Sequence, residues 1–256
     1  RERERERGKL MRLFGTPIQV DSFRFEAGVS IYLLTHFHSD HLEGLTPSWN
    51  FGTIYCTPIT RALLQRKFHL DRRLLVEVYV GQHTVIPLDS KGVHTCTLVP
   101  LDSNHCPGSV MFHLQAYFGS ILVTGDFRFH PSMLTGYLRD IHLDTILLDD
   151  TYLDPDYDFP PQDEMVKEAI NIMECFPKHR VYVGVDNLGK EKFLSQLALA
   201  RKSLVGVWDE RFEVIQTIRQ HGSLDELQGI EDVFVFGRER ETADIVAVPR
   251  KQLNQH

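Results

Sequence analysis

The 256-residue sequence is poor in cysteine. It has only Cys56, Cys96, Cys106 and Cys175, and no two of them form a C-x-x-C pair. A zinc ribbon or a thioredoxin-type redox site is therefore not supported, and reduced thiols of an intracellular protein are the default expectation. There is no apolar run of about eighteen residues or more, which argues against a membrane span. The N-terminus alternates arginine and glutamate from Arg1 to Arg7 and lacks the apolar stretch of a secretory leader. Position 1 is not methionine, and Met11 is a candidate start. An excess of positive charge is missing as well: the formal net charge is −7. Taken alone, that speaks mildly against a polyanionic partner. Carboxylates that hold divalent ions are, however, offset by the charge of those ions. Basic residues also gather locally at Arg61, Arg66, Lys67, Arg72 and Arg73, where a solvated helix face is as good a reading as a nucleic-acid contact.

What is present is ordinary for a globular chain: 42% hydrophobic and 25% charged residues, enough to build a core without disulfides. Residues 1–10 read as a low-complexity charged tail. The segments Ile18–Asp21, Val29–Thr35, Leu75–Tyr79, Thr95–Val99, Ser109–Leu114, Ser120–Thr124 and Thr145–Leu148 carry strand patterns, with a tight turn expected at Gly119-Ser120. Pro58 opens a predicted helix that runs to Phe68. Prolines and aspartates crowd residues 154–161 and mark a linker between a first domain, 11–153, and a second, 162–256. In the second domain, helices over 162–176, 190–202 and 210–220 alternate with strands over 181–185, 204–207, 232–236 and 244–248. That alternation predicts a parallel α/β unit.

Three pieces carry chemistry. The run His36-Phe37-His38-Ser39-Asp40-His41 follows a predicted buried strand, His105 sits in Asn104-His105-Cys106-Pro107-Gly108-Ser109, and Asp126 follows Gly125 after another strand. Imidazole and carboxylate suit zinc, or a manganese- or iron-type ion. His36 and His38, two apart at a strand mouth, can point the same way. Asp40 and His41 then fall on the turn, where they can face a second ion. A carboxylate such as Asp126 can bridge two ions about 3.5–4 Å apart and so support a hydroxide nucleophile. A lone loop histidine or a lone aspartate after glycine is an ordinary feature; the packed run of four is much more specific. A further site, Val185-Asp186-Asn187-Leu188-Gly189-Lys190-Glu191, reads as strand, turn and helix start. Lys190 there is either a phosphate contact or simply part of a helix start, and Asp186 works against an anion.

The H-x-H-x-D-H run, His105 and the Gly125-Asp126 pair resemble the metallo-β-lactamase superfamily. The wording Asn104-His105-Cys106-Pro107-Gly108-Ser109-Val110-Met111-Phe112 and Thr124-Gly125-Asp126-Phe127-Arg128 is similar to that of its β-CASP DNA nucleases. The likeness runs over about residues 16–250 and is strongest up to about 152. It implies an α/β (α+β sandwich) fold: an αββα metallo-β-lactamase domain followed by part of an α/β β-CASP domain. It implies two zinc ions per full-length site, with His36, His38 and His105 on the first, Asp40 and His41 on the second, and Asp126 between them. Asp21 would orient the ligand loop. Asp149, with Asp150 beside it as a rival, would order the water or the leaving group; Asp40, Asp126 and Asp149 would be the catalytic carboxylates. The implied activity is 5′ to 3′ exonucleolytic hydrolysis of DNA that has a 5′ end, in the nucleus, in crosslink repair or telomere maintenance, alongside repair or telomere proteins and away from membranes.

The family pattern also implies two later histidine motifs that this sequence does not show; His221 and His256 stand in other contexts. The expectation is therefore a fragment or a degenerate copy, with the second ion short of a ligand. The alternatives are a catalytically impaired homologue that binds DNA or acts as a scaffold, and an RNA-processing β-CASP endonuclease.

Overall fold

A computed structural model describes residues 11–13 and 15–255; the expected tail over 1–10 lies outside them. The chain divides into two compact units, 1–151 and 152–256.

In the first unit, β1 (Met11–Arg12), β2 (Ile18–Val20), β3 (Ile31–Leu33) and β4 (Thr53–Cys56) are followed by α1 (Pro58–Phe68) and β5 (Leu75–Glu77). They form one sheet in the order β1-β2-β3-β4-β5, parallel throughout except at the β1 edge. A second sheet holds β6 (Thr84–Pro87), β7 (Thr95–Asp102), β8 (Val110–Ala116), β9 (Gly119–Val123) and β10 (Thr145–Leu147), in the order β10-β9-β8-β7-β6. It is antiparallel up to β9, and β10 joins parallel.

Alternation along β3 shows how the layers stack. Ile31 and Leu33 enter the core between the sheets with Ile18, Val20, Leu98, Phe112, Leu114 and Val123. Tyr32 and Leu34 point the other way and pack with Trp49, Ile54 and Leu64 of α1. Successive strand side chains face opposite sides, so a strand at the middle of a sandwich must be apolar on both. The same burial on both sides extends to Gln19, which is polar yet fully buried. On the outer face of the second sheet, Val99, Leu101, Met111 and Leu122 pack against Met133, Tyr137, Leu138 and Leu143. Among the described residues, 3-10 turns at 131–134 and 137–140 supply this cover rather than a long helix.

The turn expected at Gly119-Ser120 falls two residues earlier. Ala116 pairs with Gly119, so Tyr117 and Phe118 form the tip, and Gly119 supplies a φ of 94° at the first residue of β9.

In the second unit, α2 (Gln162–Cys175), β11 (Val181–Val185), α3 (Glu191–Arg201), β12 (Val205–Gly206), α4 (Asp209–His221), α5 (Leu224–Leu227), β13 (Phe234–Val235) and β14 (Ile245–Pro249) alternate much as the sequence predicts. The sheet is parallel throughout, in the order β11-β14-β12-β13. The aspartate- and proline-rich segment 154–161 is exposed.

Candidate metal centre

The site grows from the C-terminal end of β3, where the buried strand opens into the histidine run. Asp21, at the end of the neighbouring β2, adopts a φ of 49° and turns its carboxylate onto that exit. Its Oδ1 accepts the Thr35 N–H at 2.8 Å, and its Oδ2 accepts the Thr35 hydroxyl at 2.6 Å. Asp21 Oδ2 also lies 2.9 Å from His41 Nδ1, leaving Nε2 to point inward. The Thr35 hydroxyl oxygen in turn lies 2.9 Å from His36 Nδ1, so the Nε2 edge of His36 is the one presented to the site. Asp21 and Thr35 thus orient two rings at once.

The second supporting element is the loop after β7. Ser109 Oγ accepts the Ser103 hydroxyl at 2.8 Å and the Cys106 N–H at 3.1 Å, closing the loop on itself. Thr57 and Thr60, at the start of α1, donate their hydroxyls to the Gly108 carbonyl at 2.7 and 3.2 Å. A side chain at Gly108 would meet Ile59 at 2.9 Å, and its φ is 79°, so only glycine lets the helix approach this closely. Arg128 N donates to Ser103 O at 2.9 Å, and Asn104 Nδ2 donates to Arg128 O at 3.2 Å. These two bonds tie the loop of His105 to the strand exit of Asp126.

The result is a convergence of His36, His38, His105 and Asp126, whose donor atoms all lie within 4.8 Å of one another. His36 Nε2 is 3.0 Å from His38 Nδ1, which is 3.2 Å from His105 Nε2. Asp126 Oδ2 is 3.7 Å from His36 Nε2 and 3.6 Å from His105 Nε2. Four ligands about 2.0–2.1 Å from a tetrahedral zinc stand about 3.3–3.4 Å apart. The spacing of this donor set therefore fits such an ion. The other carboxylate oxygen, Asp126 Oδ1, faces His41 Nε2 at 3.2 Å, and Asp40 Oδ2 lies 3.8 Å from the same nitrogen. Asp40 is otherwise exposed and, with His41, stands outside the group of four.

Burial and the nearby His41 and His38 push the His36 imidazole far below its ordinary value, and burial and His38 lower His105. Neutral imidazoles are the form that ligates metals. Burial pulls His41 down too, but its bonds to Asp126 and Asp21 lift it to about 10. Burial raises Asp126, yet the hydrogen bond and charge of His41 outweigh it and hold the carboxyl well below its usual range.

Two sequence candidates have other engagements. Asp149 Oδ1 accepts the Thr151 N–H at 3.0 Å and the Thr151 hydroxyl at 2.6 Å, while Asp149 N donates to Thr124 Oγ1 at 3.0 Å. Its charge still reaches His105. Lys190 precedes α3 with a φ of 66°. The Gly189 N–H, which an anion would need, donates to Glu191 Oε1 at 2.9 Å, and the buried Arg211 binds the Asp186 and Gly189 carbonyls. These bonds favour a helix start over a phosphate cradle. Within the basic stretch, Arg61 pairs with Glu77 at 2.8 Å and Arg73 with Asp71 at 2.6 Å, while Lys67 lies over the rings of Phe37 and Phe68. The locking roles of Thr35 and Thr57 have one signal in the sequence, their position beside the motifs.

A two-sheet sandwich with a histidine- and aspartate-lined centre at its strand exits is the architecture of a metallo-β-lactamase-like protein. No protein-family model matches the chain. Its curated relatives are informative. It is 38% identical to the 5′ exonuclease Apollo of Mus musculus over 242 residues, which is 93% of this chain and 42% of that protein. It is 37% identical to the DNA cross-link repair 1A protein of Homo sapiens, over 80% of this chain and 20% of that one. It is 34% identical to the DNA cross-link repair protein pso2/snm1 of Schizosaccharomyces pombe, over 83% of this chain and 39% of that one. A crystal structure of a protein of unknown function from Enterococcus faecalis V583 superposes with a TM-score of 0.58 at 11% identity, over 85% of this chain and 58% of that one, and speaks to the fold alone. Over the segment it shares with these relatives, the chain is a member of the β-CASP nuclease family, close to Apollo. It spans less than half the length of each of the three curated relatives.

Proposed function

We propose that this chain is the core of a metal-dependent phosphodiester hydrolase that degrades DNA from a 5′ end, a reading supported by the name of the relative Apollo, a 5′ exonuclease, and by the DNA cross-link repair proteins among the relatives. The observation that supports this reading is the divided carboxylate of Asp126, with one oxygen toward His36 and His105 and the other toward His41. His36, His38 and His105 with Asp126 would hold one ion, and Asp40 and His41 with the same carboxylate would contribute to holding a second. When bound, divalent ions, zinc in this proposal, would supply water activation and neutralisation of the charge that develops on the phosphoryl group.

The chain's own residues prepare the site. His36, His38 and His105 present neutral nitrogens to one side. Asp40, His41 and Asp126 Oδ1 form the other side, and Asp21 and Thr35 keep the rings from turning. Asp149 adds negative charge near His105 and is proposed to order the water or the leaving group beside the reacting phosphate. Lys190 is kept as a weaker proposal for a backbone phosphate contact, for the reason given by the Gly189 bond. The proposed setting is nuclear, in crosslink repair or telomere end maintenance, and the second unit is proposed as part of a β-CASP domain.

The test compares cleavage of 5′-phosphorylated DNA with cleavage of matched 5′-hydroxyl DNA and RNA by the full-length protein. Degradation of the 5′-phosphorylated DNA alone is expected; cleavage of RNA only would overturn the substrate assignment. Stoichiometric metal with no cleavage of any substrate would overturn the activity.

A further inference from the structure

No lysine or arginine occurs between Arg139 and Lys167. At the start of the second unit, aspartates alternate with aromatic residues instead, in Asp156-Tyr157-Asp158-Phe159, with Tyr152 and Asp154 just before. The backbone there turns tightly: Asp154 Oδ1 accepts the Asp156 N–H at 3.0 Å, and the Tyr157 N–H donates to the Asp154 carbonyl at 3.0 Å. That turn carries Tyr157 and Phe159 back toward Tyr152. Tyr152 meets Tyr157 at 5.2 Å with an interplanar angle of 79°, and Phe159 at 5.0 Å and 84°. Tyr157 and Phe159 have their centroids 6.1 Å apart and are parallel to within 11°. Two parallel rings therefore share one perpendicular neighbour.

Mutual contact does not bury this group. Tyr152 is 60% exposed, Tyr157 53% and Phe159 56%. Single exposed rings need no explanation, whereas a contiguous group of them marks an interaction site. Among the described residues, the carboxylates of Asp156 and Asp158 take no hydrogen bond and no ion pair. Aromatic faces are negative. The carboxylates give the rim the same sign, and the segment carries no lysine or arginine to offset them.

A negative, open aromatic surface attracts cations and repels phosphates. Among cationic side chains, arginine suits it best. Its guanidinium is planar, weakly hydrated and stacks on ring faces, whereas a lysine ammonium holds its water. We infer that residues 152–159 are a docking surface for a basic, arginine-bearing segment of a partner protein. One guanidinium lies against Tyr152, Tyr157 and Phe159, and neighbouring basic residues meet Asp156 and Asp158. The inference stands on the second unit alone, apart from the donor cluster and the nuclease reading; a DNA strand has the wrong charge for it.

An arginine-rich peptide on a glycine–serine backbone serves as the probe, beside matched peptides carrying lysine or the neutral citrulline in place of arginine. In aromatic NMR spectra of the intact chain, the arginine peptide is expected to shift the rings of Tyr152, Tyr157 and Phe159. Tyr79 and Tyr117, exposed rings of the first unit, should stay unmoved. The citrulline peptide should produce no shift, and the lysine peptide should bind severalfold more weakly. Tyr157→Leu and Phe159→Leu should each weaken the arginine peptide by about two- to fivefold. Asp156→Asn combined with Asp158→Asn should weaken it too and flatten its salt dependence.

Equal binding of the citrulline or the lysine peptide would overturn the inference: the first would make the surface merely apolar, the second merely acidic. Unchanged affinity in both leucine variants would overturn it as well, by placing the peptide elsewhere. So would shifts of the same rings by a single-stranded oligonucleotide in place of the peptide. The comparison of arginine with citrulline needs no variant, so it decides even where a substitution disturbs the turn.

Discussion

Asp21 touches no proposed substrate, yet three bonds to Thr35 and His41 pass through its carboxylate. Replacing it by asparagine keeps the size but exchanges one acceptor oxygen for a donor nitrogen. Partners of this kind, behind a metal ligand, are worth about 10–100-fold in metal affinity. Asp21→Asn should therefore lower zinc affinity by that order with little change in thermal stability, as measured by competition with a chelating dye and by melting. An unchanged affinity would mean that the ligand loop holds its shape without Asp21. Gly125 presents a different demand. Its φ is 49°, and a Cβ there would stand 2.7–2.9 Å from the Thr35 side chain. Gly125→Ala should cost about 1–3 kcal/mol in urea denaturation and displace either Thr35 or Asp126, so metal binding should fall with stability. The resemblance already points to Asp21 as the residue that orients the ligand loop, whereas the steric demand on Gly125 is not legible in the sequence. What makes them matter is the proximity of Thr35 to Asp21 and Gly125, which are far from it in the chain.

Among the elements, β8 carries an unusual load. His113, on that strand, is buried between Ser120 Oγ at 2.8 Å and the Tyr137 hydroxyl at 2.9 Å. Burial, with His83 adding to it, lowers its pKa below the ordinary imidazole value of 6.5. A depressed folded-state pKa favours the neutral ring in the native chain. The stability this contributes is present in full above 6.5 and is lost as the pH falls through the lowered folded value. His113→Gln removes the titration and keeps hydrogen-bonding capacity. Its unfolding free energy should fall less on acidification than that of the unaltered chain. Parallel pH profiles for the two proteins would show that His113 does not contribute to the acid limb. Element identities were largely legible: the helix from Pro58 to Phe68 has the predicted bounds, and Val181–Val185 forms the predicted strand. Local signals sufficed there, a proline at a helix start and a short β-branched run. The β8–β9 turn was misplaced because a glycine with positive φ can end a hairpin turn as well as form its tip, and only the pairing of Ala116 with Gly119 decides.

For the whole molecule, every donor of the candidate centre lies within residues 1–151, whereas the second unit has its own polar anchor. Arg211 and Glu191 are both fully buried and meet at 3.1 Å. Glu191→Gln leaves the guanidinium buried without its counter-charge, a change that costs about 3–5 kcal/mol. Stability of the chain should drop accordingly, while metal affinity measured under native conditions should not change. A loss of metal affinity would mean that the two units are energetically coupled. The sequence revealed the donor set of the first unit because its ligands stand in dense, ordered motifs. It did not reveal the buried pair, because Glu191 stands there only as the last residue of a strand-turn-helix motif and Arg211, twenty residues on, meets it only in the folded chain.

The divided carboxylate of Asp126 has one more consequence, for how experiments on this centre must be read. His105 and His41 face different oxygens of the same side chain. A substitution at either changes the charge and the lean of the group that the other depends on. A double-mutant cycle between them should therefore be strongly non-additive, although no hydrogen bond or ring contact links the two rings in the described structure. Metal titrations of single variants will then report one shared unit of ligation rather than two independent sites.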